Sequence, residues 1–351
     1  MQINGRAIGP GQRPYLIAEM SGNHNRSLER ALEIVDAAAE SGADAIKLQT
    51  YTADTMTLDL HTPGFVIDDP KSLWNGRQLY DLYKEAHTPW EWHAPIMERA
   101  RARGIDCFSS PFDFTAVDFL ETLDAPAYKI ASFENTDLPL IEKVASTGKP
   151  LIISNGMATV AEIGEAVATA RRAGAGDIVL LKCTSAYPAA PETINLATIA
   201  NLAETFGCVV GLSDHTMGCG VAVAAVALGA TVIEKHFTLS RADGGVDSAF
   251  SMEPAEFRTM REEVDRARLA VGTIRYDGTS AEEGSREHRR SLYIAKDLQP
   301  GDVLDRENLR SVRPGFGLPP KFLNILLGKR VARALAAGTP ADWSMFQSSG
   351  S

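Results

Sequence analysis

Two histidines stand close together in the stretch GLSDHT, a run of small apolar residues, and VIEKHFTL, which runs from Gly211 to Leu239. His215 and His236 each follow a short apolar run, CVVGLS and TVIEK, of a length that suits a buried strand better than a helix. If the runs are neighbouring parallel strands joined by a helix over Cys219 to Gly229, both imidazoles reach the same carboxyl-terminal sheet edge, where α/β proteins do their chemistry. Two imidazoles with nearby carboxylates, Asp214 and Glu234, suit a borderline divalent cation: manganese, or zinc where a third ligand exists. One histidine at a strand end is better explained as a strand cap or a backbone hydrogen bond, but two at adjacent strand ends favour the metal reading.

A second group of side chains points to an anion. Lys47, Lys129 and Lys182 lie within apolar runs, and a buried ammonium is costly without a negative partner. Together they could hold a phosphate and a carboxylate, with serine hydroxyls and backbone N–H groups completing the cradle. One of them could instead be a Schiff-base nucleophile, although paired histidines favour polarisation of a carbonyl by a metal over an imine.

Positioning these groups requires a regular scaffold, and the chain supplies one. The runs YLIAE, DAIKLQ, IDCFSS, AYKIAS, PLIISNG, DIVLLKCTS, CVVGLSD and TVIEKH alternate with helical segments such as LERALEIVDAAAESG and VAEIGEAVATARRAG. Near-continuous apolar runs imply strands covered on both faces, so the fold class is α/β, a (β/α)8 TIM barrel. Polar residues collect at the ends of the runs: Glu19, Gln49, Ser109, Ser110, Ser132, Glu134, Ser154, Asn155 and Ser185 join the lysines, acids and histidines there. On a barrel all of them converge on one mouth. The barrel is expected over residues 1–275, with a polar linker over 276–290 (GTSAEEGSREHRR falls there) and a small second domain over 291–347, too short to be robust alone. The terminal SSGS reads as a tail.

Composition narrows the function. The 351 residues are 44% hydrophobic and 23% charged, with a formal charge of −10, which argues against nucleic acid or an anionic membrane as partner. Four cysteines without CxxC spacing read as small core residues of a reducing compartment. Neither a basic, apolar leader nor a membrane-length apolar stretch occurs, so a cytoplasmic location is expected.

Taken in order, AEMSGNHN (residues 18–25), KLQTYTADTMT, SSPFD, KIASFE, LLKCTSAYP, GLSDHT, EKHFTL and GGVDSAFSM resemble the sialic acid synthase family. The carboxyl-terminal SLY and VRPGFGLPP resemble its antifreeze-like (SAF) domain. Within the family, YTADTMT and the insertion LYDLYKEAHTPWEWH (79–93) are similar to the branch that makes pseudaminic acid rather than N-acetylneuraminic or legionaminic acid. The resemblance implies a transferase that condenses phosphoenolpyruvate (PEP) with a 2,4-diacetamido-2,4,6-trideoxy-altrose, releasing phosphate by C–O cleavage. It further implies a divalent metal on His215 and His236, manganese first and magnesium or cobalt otherwise. Glu19 and Glu234 are its acid–base candidates. Lys47, Ser110, Lys129, Ser132, Ser154, Ser185 and Ser213 fall where the family holds PEP. Gln49, Glu134, Tyr187 and Asp247 fall where it holds the sugar, and Arg313 matches an arginine that reaches across a domain-swapped homodimer. Met20, Gly22, Asn155 and Gly156 depart from the family pattern without removing a charged or metal-binding group. A Schiff-base aldolase on the same barrel is the rival enzyme, and a sugar- or ice-binding protein on a relic barrel the rival of another class.

Overall fold

The computed structural model describes residues 1–70 and 72–346, so the SSGS tail lies outside the described residues. Among them, the chain separates into two compact units, Met1–Gly272 and Thr273–Ser351. The first is a closed barrel of eight strands: β1 (Tyr15–Glu19), β2 (Ala45–Thr50), β3 (Asp106–Pro111), β4 (Tyr128–Ile130), β5 (Leu151–Ser154), β6 (Ile178–Cys183), β7 (Val209–Asp214) and β8 (Val232–His236). Every neighbouring pair is parallel, and β8 closes on β1. The intervening helices are α1 (Leu28–Glu40), α2 (His93–Ala102), α3 (Phe114–Thr122), α4 (Leu138–Ala145), α5 (Val160–Arg172), α6 (Thr198–Phe206), α7 (Gly220–Ala227) and α8 (Pro254–Val271).

Helix starts are written into the sequence. Ser27 caps α1 by accepting from Arg30 N, Thr159 and Glu162 form a reciprocal capping box on α5, and Pro254 opens α8 where its missing N–H costs nothing. None of the helices is long and apolar enough to cross a membrane among the described residues.

Because side chains on a strand alternate in direction, each barrel strand divides into an inward and an outward set. Tyr15, Ile17, Ala45, Phe108, Ala127, Ile152, Val179, Leu181 and Val232 form the inner cluster, and Ile3 and Ile8 from the amino-terminal hairpin segment join it. The outer cluster, from Leu16, Ile46, Leu180, Leu212 and Ile233 to helix residues such as Ile34, Val167 and Met260, fills the space between barrel and helices. Continuing the inward set by steps of two reaches Glu19, Lys47, Ser110, Lys129, Ser154, Cys183, Ser213, Glu234 and His236. The apolar layers below therefore carry a polar layer above.

The second unit has its own core of Leu292, Ile294, Leu298, Leu304, Leu309, Leu326, Val331, Leu335, Ala341 and Met345. Its strands β9 (Ser291–Ile294) and β10 (Leu309–Val312) pair antiparallel, with Ser291 opposite Val312.

Gly211 lies on the inward face of β7, where an added Cβ would collide with Val232 O and come within 2.7 Å of Leu181 Cδ2. Gly211→Ala is expected to lower the stability of the barrel by about 1–3 kcal/mol through overpacking, read as a lower thermal unfolding midpoint. An unchanged midpoint would show that β7 and β8 separate freely.

Candidate active site

Four charges meet inside the polar layer. Lys47 Nζ lies 2.5 Å from Glu19 Oε2 and 3.9 Å from Glu234 Oε2, and Lys129 Nζ lies 4.0 Å from Glu234 Oε1. The strand register makes this possible, since Glu19 sits opposite Lys47 across β1 and β2, and Ser213 opposite Glu234 across β7 and β8. Gln49 donates to Glu19 Oε1 at 2.9 Å, Ser213 to Glu234 Oε1 at 3.0 Å, and Lys47 to Ser110 Oγ at 3.4 Å. All four charged groups are buried. Burial, reinforced by Glu234 and opposed by Lys47, raises Glu19 to about 7. Burial pushes Glu234 the same way, but Lys129 and Lys47 overcome it and hold this carboxyl below its ordinary range. The paired acids are thereby driven apart, one poised to exchange a proton near neutrality and one kept ionised. Burial also lowers Lys129, while Glu19 and Glu234 outweigh it at Lys47 and raise that ammonium.

The two imidazoles come together at the same end of the barrel, with ring centroids 5.4 Å apart. His215 donates from Nδ1 to Thr184 O at 2.9 Å, and burial, which pushes this imidazole down, is outweighed by its hydrogen bonds to Cys183 and to Thr184 O, which raise it. His236 Nδ1 is buried with no hydrogen-bond partner, and burial pushes this ring well below its ordinary pKa. Asp247 Oδ2 lies 3.9 Å from it. Two imidazoles 5.4 Å apart are a donor pair that a cation could use once His215 gives up its proton, with oxygen ligands in the remaining positions. Among the described residues no group of three or more His, Cys, Asp or Glu side chains is arranged to hold a metal alone.

Asp214 is not part of this set. The sequence suggested it as a carboxylate beside the imidazoles, but its outward parity turns it to Lys235 Nζ at 2.7 Å. Lys182 likewise takes the outward parity of β6, and its ammonium donates to Cys183 O at 2.6 Å and Thr184 Oγ1 at 3.5 Å rather than joining Lys47 and Lys129.

A hydroxyl cradle lies beyond β4, β5 and β6. Ser132 Oγ and Ser185 Oγ are 2.8 Å apart, and Ser154 Oγ is buried without a partner. Gly156 (φ +44°) follows, and a Cβ there would meet Ser132 Cβ at 2.5 Å and Ser185 Oγ at 2.9 Å, so glycine is what lets the loop approach the two serines. Asn155 has a structural task instead: its Oδ1 accepts from Cys183 N at 2.9 Å and ties β5 to β6. Glu134 has a buried Oε2 without a partner, and burial raises it to about 7.

Several participants escaped the sequence reading. Cys183, read as a core filler, ends the inward set of β6 and hydrogen-bonds His215, which offsets the upward push of burial and lowers the thiol. Phe250 packs 4.9 Å, ring to ring, from His236 and 5.3 Å from Tyr187, a residue expected on the sugar side that lies 4.4 Å from His215. Trp74, from the excursion after β2, joins Tyr187 at 6.1 Å and Phe250 at 6.4 Å and is fixed by donation from Nε1 to Val246 O. The SGNHN segment is a clasp: Ser21 donates to Asp247 Oδ2, Asn23 Nδ2 to Phe237 O and Ser251 Oγ, and Asn25 Nδ2 to Gly244 O. Strand parity would have found Cys183, but nothing in the sequence marks the long-range partners of Trp74 or Asn23. Arg313 belongs to the second unit, where it is exposed just past β10.

A closed (β/α)8 barrel whose mouth gathers buried ammoniums, hydroxyls, two carboxylates and an imidazole pair defines an enzyme for an anionic substrate. Residues 34–276 match the NeuB family and residues 289–347 the SAF domain. The chain belongs to the NeuB family, and carries a SAF domain after its barrel. It is 46% identical to the pseudaminic acid synthase of Helicobacter pylori over 94% of this chain and 96% of the relative. It is 45% identical to the pseudaminic acid synthase of Campylobacter jejuni strain 81-176 over 96% of this chain and 97% of that one. The crystal structure of an N-acetylneuraminic acid synthetase from Leptospira borgpetersenii, in complex with citrate, is similar at a TM-score of 0.73 and 29% identity, covering 81% of this chain and 94% of the other.

Burial raises Glu19 to about 7, so a general-base role for its carboxylate predicts that kcat/KM for synthesis rises with pH through that region. Glu19→Gln is expected to lower kcat by about 100-fold or more and to remove that limb of the profile. A Glu19→Gln enzyme retaining the limb would assign it to another group, Glu134 first.

Proposed function

We propose that this chain is a pseudaminic acid synthase, condensing PEP with 2,4-diacetamido-2,4,6-trideoxy-β-L-altropyranose and water to give pseudaminic acid and phosphate. The observation that carries this is 45–46% identity over nearly the whole chain to three pseudaminic acid synthases. The buried charges described above are the right kind for the chemistry.

Lys47 and Lys129, with Ser110, Ser132, Ser154, Ser185 and Ser213, hold PEP: the two ammoniums offset its carboxylate and phosphate, and the hydroxyls supply directional donors. Gln49, Glu134, Tyr187 and Asp247 line the sugar side, with Arg313 contributed by a partner subunit. His215 and His236 would hold a divalent cation, manganese first or magnesium or cobalt, whose chemistry is Lewis-acid polarisation of the open-chain sugar aldehyde. The enolpyruvate methylene attacks the aldehyde carbon, the resulting oxocarbenium centre takes up water, and the tetrahedral intermediate loses phosphate with its C–O bond. Glu19, raised to about 7, accepts a proton of that water, and the alkoxide left by the former aldehyde oxygen takes up one proton, so that enzyme and charge return to their starting state. Glu234, held ionised between the two ammoniums, keeps them in place and faces the developing positive charge.

We further read the enzyme as a homodimer. Phe133 (62% exposed), Met157 (63%) and Met217 (51%) follow β4, β5 and β7 as exposed apolar side chains that a covering partner would bury. Four unpaired cysteines accord with the reducing cytoplasm.

Purified protein with manganese, PEP and each of three sugars (the altro sugar, the 2,4-diacetamido-trideoxymannose and N-acetylmannosamine) is expected to release phosphate fastest with the first, with the product mass of pseudaminic acid. EDTA is expected to abolish turnover. Preference for another sugar overturns the assignment, and full activity in EDTA with borohydride trapping of pyruvate overturns the metal reading in favour of an imine.

Arg313→Ala is expected to raise KM for the sugar about tenfold or more while leaving KM for PEP nearly unchanged, since losing a charged contact costs about 1.5–3 kcal/mol. Light scattering is expected to give a dimer mass. A fully active monomer, or a silent Arg313→Ala, would remove Arg313 from the site.

A further inference from the structure

The register of β7 and β8 pairs Asp214 with Lys235. Each immediately precedes one of the two histidines, and both face outward from the barrel while His236 and Ser213 face inward. Asp214 and Lys235 are each 1% exposed. Lys235 Nζ donates to Asp214 Oδ2 at 2.7 Å and to Thr216 O at 2.6 Å. The other carboxylate oxygen, Asp214 Oδ1, accepts from Thr216 N at 2.9 Å and from Thr216 Oγ1 at 2.8 Å. His215 is therefore the middle residue of a turn whose two flanks are tied to one cation on the neighbouring strand. Its own carbonyl accepts from Ala189 N at 3.0 Å, and its ring donates to Thr184 O.

A buried ion pair adds little stability over a well-packed apolar pair, so the function of this one is to be sought in direction. Its four hydrogen bonds fix the path of residues 214–216 relative to β8, and that path sets where His215 stands with respect to His236. We propose that Lys235 is a positioning residue: its ammonium locks the Asp214–His215–Thr216 turn onto β8 and so holds the two imidazoles at the separation at which they share a cation. The proposal rests on the reading of the histidine pair as a cation site. In that reading Lys235 and Asp214 orient the ligands without touching metal or substrate.

The test compares wild type, Lys235→Met and the neutral pair Asp214→Asn/Lys235→Met, all as full-length protein. In the neutral pair the new amide can donate to the Thr216 carbonyl that Lys235 has left. Three quantities are read: Mn2+ affinity from the spin-resonance signal of free Mn2+, kcat with KM for PEP, and the imidazole 15N shifts of His215. Lys235→Met is expected to weaken Mn2+ binding and lower kcat by about 10–100-fold, the usual cost of losing a group that orients a ligand. KM for PEP is expected to stay within about twofold, because Lys47 and Lys129 stand on other strands and face inward. The 15N shifts of His215 are expected to move as its Nδ1–Thr184 O contact loosens, and the neutral pair to recover part of each loss. A folded Lys235→Met protein that matches wild type in Mn2+ affinity, kcat and 15N shifts overturns the proposal, as does a rise in KM for PEP equal to the loss of metal affinity. If Lys235→Met fails to fold, the neutral pair decides on the same readings, with wild-type values overturning the proposal. If wild type itself binds no Mn2+, the cation reading has failed, and the positioning role is judged on 15N shifts and kcat.

Discussion

The contact on which the mouth of this barrel depends is the one between Lys47 and Glu19, 2.5 Å apart and almost wholly buried. An enzyme that must receive a small, highly charged nucleophile needs ammoniums where water is scarce, and ammoniums in such a place need counterions before the ligand arrives. Glu19 and Glu234 supply them, at 2.5 Å from Lys47 and 4.0 Å from Lys129 respectively. The same carboxylates then become the acid–base candidates, because a ligand that claims the lysines for itself weakens the attraction that had opposed protonation of Glu19. Two demands, a foldable empty site and a proton acceptor near neutral pH, are met by one arrangement.

Strand parity explains how much of this could be read in advance. The eight apolar runs specify the barrel because their continuity excludes a half-exposed sheet, and the step of two along each run carries the inner apolar set directly into Glu19, Lys47, Ser110, Lys129, Ser154, Ser213 and Glu234. Applied strictly, the same rule also separates Lys182 and Asp214 from the site, since each is one residue out of phase with the inner set. Reading strand ends as a single polar collection blurred that distinction. It likewise hid Cys183, which is in phase and lies against His215. The wall that Trp74 and Phe250 build around Tyr187, the one member expected at the site, was illegible for a different reason: the three lie apart in the chain and meet only through loops whose paths no periodicity encodes.

The AEMSGNHN motif shows that a recognisable signature need not be a set of ligands. Glu19 alone reaches the charged centre. Ser21, Asn23 and Asn25 bind the segment that carries Asp247, and Arg30 reinforces them from α1, with Nε on Asn23 O at 2.9 Å and Nη1 on Asp243 Oδ2 at 2.8 Å. Such a clasp fixes the distance between the first and last βα loops, which a closed barrel makes neighbours although more than two hundred residues separate them in sequence. Asp247 stands 3.9 Å from His236 because of that clasp and not because of its place in the chain.

The inner layers also set how near the charges can come. Gly211 leaves room that Leu181 fills from β6, so β7 and β8 approach without a side chain between them at that level. One step of the inner set higher, Ser213 takes the space and donates to Glu234. A bulkier residue at 211 would push β7 away from Val232 and lengthen that hydrogen bond, which is one of the forces keeping Glu234 ionised. Volume one inner layer below is thus coupled to the protonation state of a carboxylate at the mouth, and the small residues of the inner strands belong to the chemistry as much as the charged ones do.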